Sequence, residues 1–578
     1  MMMGISSSAT LSFLSFLVLL FSTGSWAANS NSVHGDFLQC LSSLQNPSTP
    51  IPIFTPNNSN FTTLFRSSAR NLRFLSPNST QPQFIITPTH ESHVQAAVVC
   101  CRKHGLDLKV RSGGHDVEGL SYWSDVPFVI VDLVDYRNIT VDVEAKTAWI
   151  QAGASLGEVY FKVANASKTL GFPAGFCPTV GVGGHISGGG FGALVRKYGL
   201  ASDQVIDARI VNVDGKILDK RTMGKDLFWA IRGGGASSFG VILSWKVKLV
   251  DVTPIVTVAT VGRTLKQGAT DLVHKWQFIA DRLHEDVYIG LTMTVSNGSR
   301  AGEKTVLAQF SFMFLGGTDR LLRLMEESFP ELGLNRSDCT EMREKTVLAQ
   351  FSFMFLGGTD RLLRLMEESF PELGLNRSDC TEMSWVESHV YFYAPGRPVE
   401  FLWDRDHQTK SFLKVKSDYV REPISKAGLE GIWKRFMGGQ SAAMLWTPMG
   451  ARMNEISESE LPYPHRAGNI YNIMYVGNWV QESESEKQID WMRRFYSYMG
   501  RYVSKNPRSA YLNYKDLDLG QNQNGDSEVT RYIKARSWGR KYFKSNFERL
   551  VKVKSMVDPS NFFKNKQSIP PIKSWGKN

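Results

Sequence analysis

Two histidines and one cysteine, each set among glycines, are the residues of this sequence best suited to chemistry. The stretch Gly171–Gly192 reads GFPAGFCPTVGVGGHISGGGFG and holds Cys177, His185 and nine glycines. Sixty-two residues before the cysteine (177 − 115), His115 stands in Arg111-Ser-Gly-Gly-His-Asp-Val-Glu-Gly-Leu-Ser-Tyr122. Glycine lets backbone approach a ligand closely and take φ > 0 at little cost. Consecutive amides in such loops can face an anionic group. A reactive imidazole and a reactive thiol beside these glycines suit a flat cofactor held from two sides. A metal pair is the blander reading, but no CxxC or HxxxH spacing supports it.

The elements that must carry these loops are legible as patterns. Phe84–Thr87 (FIIT) opens a β–α alternation. His90–His104 has helical spacing, with Val94, Ala97, Val98 and Cys101 on one side. Leu108–Arg111 is a short strand delivering the His115 loop. Phe128–Leu133 and Thr147–Ala152 read as strands, and Leu156–Ala166 as a helix leading into the central glycines. Val205, Ile206, Ala208 and Ile210 form a strand pattern before a turn at Asp214-Gly215. Arg232–Gly240 is a further glycine loop, followed by a strand over Val241–Val250. From Thr253 the texture changes to longer strands and amphipathic helices. Near the end, Phe543, Phe547 and Leu550 have helical spacing and read as core.

Composition bounds the class. The 578 residues are 42% hydrophobic and 21% charged, as in a globular protein of two or three domains. The net charge of +11 is spread without a basic block, which argues against nucleic acid and for a mildly basic surface able to meet acidic polysaccharide. Residues 1–27 read as a secretory signal, with an apolar run Leu11–Phe21 too short to span a bilayer. Six cysteines in such a chain imply pairing, and Cys40 can reach Cys100 or Cys101. Asn57, Asn60, Asn78, Asn138, Asn165, Asn297, Asn335 and Asn376 lie in glycosylation sequons.

One segment is duplicated. Glu303–Met342 recurs unchanged as Glu344–Met383, an offset of 41 residues. Repeat folds generally need three or more divergent units to bury a continuous core. Two unchanged copies of one strand (TVLAQFSFMF) and one helix (DRLLRLMEESF) therefore read as a recent duplication or a sequence-assembly artefact rather than as architecture.

The motifs RSGGHDVEGLSY, GFCPTVGVGGHISGGGFG, YGLASDQVIDARIVNVDGKIL, DLFWAIRGGGASSFGVI, YLNYKDLDLG and DPSNFFKNKQSIPP together resemble the plant berberine bridge enzyme-like flavoproteins. That resemblance implies an α+β fold: a vanillyl-alcohol-oxidase (PCMH-type) FAD-binding domain with an inserted α/β substrate domain built on an antiparallel sheet. It divides the chain into a FAD-binding part over 28–252 (core 79–252), a substrate domain over 253–505 with the duplication at 303–343 and 344–384, and a C-terminal return over 506–578. It implies a bicovalent FAD, joined to His115 and Cys177, and a Cys40–Cys100 disulfide. Arg111, Ser112, Gly113, Gly114, Asp116, Val180, Gly183, Gly184, His185, Gly188, Gly190, Val241, Asn513 and Tyr514 are the other expected cofactor contacts.

For catalysis the resemblance points to Tyr514, Met474 and Asn472. Berberine bridge enzyme has a glutamate base where Met474 stands. Carbohydrate-oxidising relatives have Lys, Gln and Tyr where Asn472, Met474 and Val117 stand. Tyr514 is left as the candidate base, on the condition that a cation or hydrogen bond lowers its phenol. The apolar Val117 and Met474 favour an alkaloid, phenolic or prenylated substrate over a sugar. The expectation is a secreted, monomeric oxidase using molecular oxygen, placed outside the cell or in the vacuole. The alternatives are a carbohydrate or monolignol oxidoreductase, or a cyclase that keeps FAD without redox work.

Overall fold

The computed structural model describes residues 33–76, 79–297, 304–314, 353–370, 375, 377, 380–405, 410–439 and 441–573. The expected leader and the sequons at Asn78, Asn335 and Asn376 lie outside them, as does the Asn297 side chain.

A four-stranded sheet carries the first loop. Its strands are β1 (Ile53–Phe54), β2 (Phe84–Ile86), β3 (Asp107–Arg111) and β4 (Phe128–Asp132), in the order β1-β2-β4-β3. β4 is buried along its whole length and pairs in parallel with both β2 and β3. Its unbroken apolar run is what a strand covered on both faces requires. The helix Glu91–Lys103 links β2 to β3 and buries Val94, Ala97, Val98 and Cys101. In the same helix Cys100 forms a disulfide with Cys40. Cys101 is buried, and burial pushes its thiol up.

A second, antiparallel sheet contains β5 (Ile139–Asp142), β6 (Thr147–Gln151), β8 (Val205–Val211), β9 (Ile217–Leu218) and β10 (Val241–Lys248), ordered β5-β6-β10-β8-β9. Gly215, at φ +75°, makes the β8–β9 turn. β7 (Leu170–Gly171) and β11 (Val250–Asp251) form a short ribbon. The helix Leu156–Ala166 starts with a capping box between Ser155 and Glu158. Its first amides hold the cysteine loop: Leu156 N–H donates to Val180 O and Gly157 N–H to Pro178 O, both at 2.9 Å.

The largest sheet has eight strands: β12 (Val256–Thr264), β13 (Val287–Asn297), β14 (Lys304–Phe314), β15 (Phe353–Leu356), β16 (Thr381–Met383), β17 (Phe412–Val420), β18 (Ala442–Pro448) and β19 (Tyr471–Trp479). Trp446 and Tyr471 stack in the core on one face, and Trp276 of the helix Ala269–Ile279 packs tilted against both. The C-terminal helices Glu528–Phe543 and Asn546–Val557 meet at a break where Lys544 has φ +47°. Phe543, Phe547 and Leu550 are buried, as their spacing predicts. The buried Lys554 ammonium joins this region to the glycine loop before β10, donating to Ser238 O and Asp558 at 2.6 Å.

The sheet expected to be antiparallel contains one parallel pairing, and the duplication causes it. β14 and β15 align through Met313↔Met354 and Phe314↔Phe355, the same residues of the two copies. Phe314 pairs with Thr257 and Val287. So does Phe355. Both copies thus register on the same partners. The second copy's helix, Asp360–Ser369, buries Leu362, Leu363, Leu365 and Met366. The first copy's helix lies outside the described residues.

Candidate active site

The two glycine loops meet face to face. A Cβ on Gly113 would stand 2.3 Å from Gly181 N, and one on Gly181 would stand 2.1 Å from Ser112 Oγ. Gly114 is more constrained still: φ is +67° and a Cβ would fall 1.5 Å from Ser68 O. Ser112 Oγ–H donates to Ala152 O at 2.5 Å, fixing the first loop to the second sheet.

Thr179 joins the two reactive side chains. Its Oγ1 lies 2.9 Å from His115 Nε2 and 3.5 Å from Cys177 Sγ. Arg70 Nη1 lies 3.4 Å from His115 Nδ1. Burial, reinforced by the Arg70 and Arg405 guanidiniums, holds His115 well below the usual histidine range. The imidazole is therefore neutral near pH 7, with a lone pair available as a nucleophile.

Burial also pushes His185 down, to about 4. Its Nε2 accepts from Gly175 N–H at 3.1 Å, so the proton sits on Nδ1. Asn513 Nδ2–H donates to His185 O at 2.9 Å and to Tyr511 Oη at 2.8 Å. Gly188 makes room for this: a Cβ there would stand 2.0 Å from Asn513 Oδ1. Gly190, at φ +76°, lies against the His185 ring. Gly183 N–H donates to Ala152 O at 3.2 Å. Gly184 differs from these glycines, because nothing lies within 4 Å of the position its Cβ would take.

The remaining expected contacts divide. Asp116 accepts from Glu118 N–H at 2.9 Å within the His115 loop. Val180 is partly buried beside Cys177. Val241 is buried at the start of β10. Arg111 is fully buried, and its guanidinium donates to Phe65 O, Leu64 O and Asp132. Its side chain is therefore committed to structure.

The sheet register places Ser417, Tyr419, Leu445, Thr447, Asn472 and Met474 on one face, because cross-strand partners share a face. None of these is charged. This face meets the C-terminal segment where Tyr511 N–H donates to Ser417 Oγ at 2.9 Å. Tyr288 connects it to the cysteine loop, 5.7 Å from the Phe176 ring. Tyr514 packs at right angles to Tyr511 and Phe191. Burial alone acts on its phenol, pushing it up with no cation as a counterweight. Asn472 is buried and donates Nδ2–H to Asp418 O at 3.0 Å.

Arg70, Thr179, Arg405 and Tyr393, whose phenol hydrogen-bonds the Cys177 thiol, belong to the site although their sequence positions do not single them out. Thr179 carries a signal, lying two residues from Cys177 in one loop. Arg70, Tyr393 and Arg405 arrive from distant segments and have no local signal.

A family model described as a FAD binding domain matches residues 82–220, and one described as berberine and berberine like matches residues 510–570. Tetrahydroberberine oxidase of Argemone mexicana is 74% identical over 577 residues, covering 99% of this chain and 98% of that one. Tetrahydroberberine oxidase of Berberis wilsoniae is 49% identical over 553 residues, covering 95% and 96%. A solved structure of a berberine bridge enzyme variant superposes with a TM-score of 0.81 at 35% identity, covering 93% of this chain and all of that one. The fold is accordingly the α+β, PCMH-type FAD-binding fold. The residues present fit FAD: a neutral imidazole and a thiol share Thr179 as a neighbour, and nothing lies within 4 Å of a Cβ at Gly184, so that stretch of backbone is open to close approach by a ligand.

Proposed function

The chain belongs to the berberine bridge enzyme-like family of FAD-linked oxidoreductases, and from that premise we propose that it oxidises a tetrahydroberberine-type alkaloid. The observation that carries this reading is the 74% identity, along nearly the whole chain, to a tetrahydroberberine oxidase. The uncharged sheet face beside Tyr514 supports it, since a polycyclic amine gains most from apolar and aromatic contact.

FAD, once bound, would supply the two-electron acceptor for hydride from a substrate carbon, with dioxygen as the final oxidant and hydrogen peroxide as its product. His115 and Cys177 hold it covalently in this reading, with Arg70 and Thr179 orienting the imidazole. His185 offers a neutral N–H donor to the ring edge where negative charge develops. The substrate's own nitrogen lone pair drives hydride loss from the neighbouring carbon, leaving an iminium. That step needs an unprotonated amine and no protein base. Met474 in place of a glutamate, and a Tyr514 that stays protonated, are consistent with this chemistry. Tyr514, Tyr288 and Phe176 exclude water and orient the ring system; Asn472 fixes the strand beneath them. The protein acts as a monomer in the secretory pathway. The Cys40–Cys100 disulfide and the exposed sequons Asn57, Asn60, Asn138 and Asn165 are compatible with that setting.

Anaerobic mixing with tetrahydroberberine tests the reading. The visible flavin band should bleach with the alkaloid and persist with glucose or coniferyl alcohol. Bleaching by glucose or coniferyl alcohol but not by the alkaloid would overturn it.

A further inference from the structure

A half-open polar cleft of about 620 Å³ lies between the start of β3 and the last loops of the chain. It begins at Asp107 and Lys109, at the opposite end of β3 from the His115 loop. The cleft is preformed. Asn522 ties its two later walls together, through N–H to Lys566 O at 2.7 Å and through Nδ2–H to Asn565 O at 3.1 Å and Ser568 O at 2.8 Å.

Its charges are unusual for this molecule. Lys109, only 5% exposed, lines the cleft with Arg531, Lys564 and Lys566, against the carboxylates of Asp107 and Asp125. The ion pairs are long: Lys109–Asp107 at 3.5 Å, Lys564–Asp107 at 3.4 Å and Lys566–Asp125 at 3.6 Å. Buried pairs elsewhere close to 2.6 Å, as in Arg111–Asp132 and Lys554–Asp558. Of these cations Lys109 alone is buried, and it shares the Asp107 carboxylate with the partly exposed Lys564. The surplus of cations favours an anion, and the two carboxylates disfavour a densely charged polyphosphate. Asp107 and Asp125, with the amides of Gln521 and Asn524, offer acceptors and donors for hydroxyl groups. The volume suits a small organic ligand rather than one inorganic anion.

We infer that this cleft binds an acidic saccharide, a short chain of uronic acid units whose carboxylates meet the lysines and whose hydroxyls meet the amides and aspartates. The site is separate from the flavin loops, and the net charge of +11 would draw such a polyanion toward the protein.

The test is calorimetric titration of the full-length, flavin-loaded protein with trigalacturonate. The expected result is saturable one-site binding, weakened about tenfold in Lys564→Glu/Lys566→Glu. Flavin content and the absorption spectrum should stay unchanged in that variant. Neutral maltotriose should give no signal, and inorganic phosphate should not displace the trisaccharide. Absence of saturable binding, equal binding of maltotriose, displacement by phosphate, or unchanged affinity in the double variant would each overturn the proposal. If the double variant loses its flavin, Lys566→Gln carries the same comparison.

Discussion

The loops around His115 and Cys177 and the sheet around β14 and β15 solve the problem of placement in opposite ways. In the loops each residue has one place. Gly114 cannot carry a Cβ because Ser68 O occupies the spot, and Gly113 and Gly181 exclude side chains from each other. In the sheet one place has two claimants. Phe314 and Phe355, the same residue of the two copies, both pair with Thr257 and Val287. Close packing makes a position specific only when one segment of the chain fits it. A duplicated segment fits as well as the original, so local chemistry cannot choose between them and chain connectivity must.

The largest effect should come from breaking the unique region. Gly114→Ala places a methyl group on Ser68 O at a left-handed backbone position and should cost about 3 kcal/mol or more. Its thermal midpoint and flavin content should both fall sharply; near-wild-type values would mean that the loop can move aside. The ambiguous region should respond in the other direction. We propose that one copy suffices for the native slot, so deletion of residues 303–343 should preserve flavin content and raise the midpoint by about 2–4 °C. An unfolded or flavin-free deletion protein would show that both copies are structural.

Acid should act next. His185 and His389, both pushed by burial to about 4, are neutral in the folded protein and titrate near 6.5 when unfolded. Their contribution is fully present above pH 6.5 and is lost as pH falls toward 4. Each should cost about 1 kcal/mol per pH unit across that window. Melting curves between pH 7 and pH 4.5 should show this slope, and His389→Gln should flatten it. The smallest effect concerns oxygen. Val180 borders Cys177 at the position where the family resemblance implies an oxygen gate, with valine as in the oxygen-reactive members, and Val180→Leu should slow reoxidation of the reduced protein in air while leaving the anaerobic half-reaction intact. Equal reoxidation rates in stopped flow would remove Val180 from the oxygen path.

Much of the flavin-side architecture is legible in the amino-acid sequence itself. FIIT, the helix over 91–103 and the Asp214-Gly215 turn declare themselves through spacing and turn chemistry, because local rules decide them. The pairing of the His115 and Cys177 loops is legible as shared composition, although composition gives no distance. Arg70 and Arg405 are not legible, since tertiary packing alone brings them to the imidazole. Tyr514 marks a further limit: the resemblance suggests a base there, and the burial that pushes its phenol up is a property of tertiary packing alone. The register that gathers Ser417, Leu445 and Met474 on one uncharged face likewise depends on pairing across three strands, which no single segment encodes.

The two glycine loops should hold one flavin from both sides, and every oxidative role proposed for this chain depends on that arrangement. Denaturing the purified protein in acid, digesting it and weighing the yellow peptides tests this most directly. The expected result is that the flavin stays with the protein and that one flavin bridges peptides containing His115 and Cys177. His115→Ala and Cys177→Ala should each retain a single link, and the double variant should release FAD on unfolding. Free FAD in the supernatant of the denatured wild-type protein would contradict the two-sided attachment.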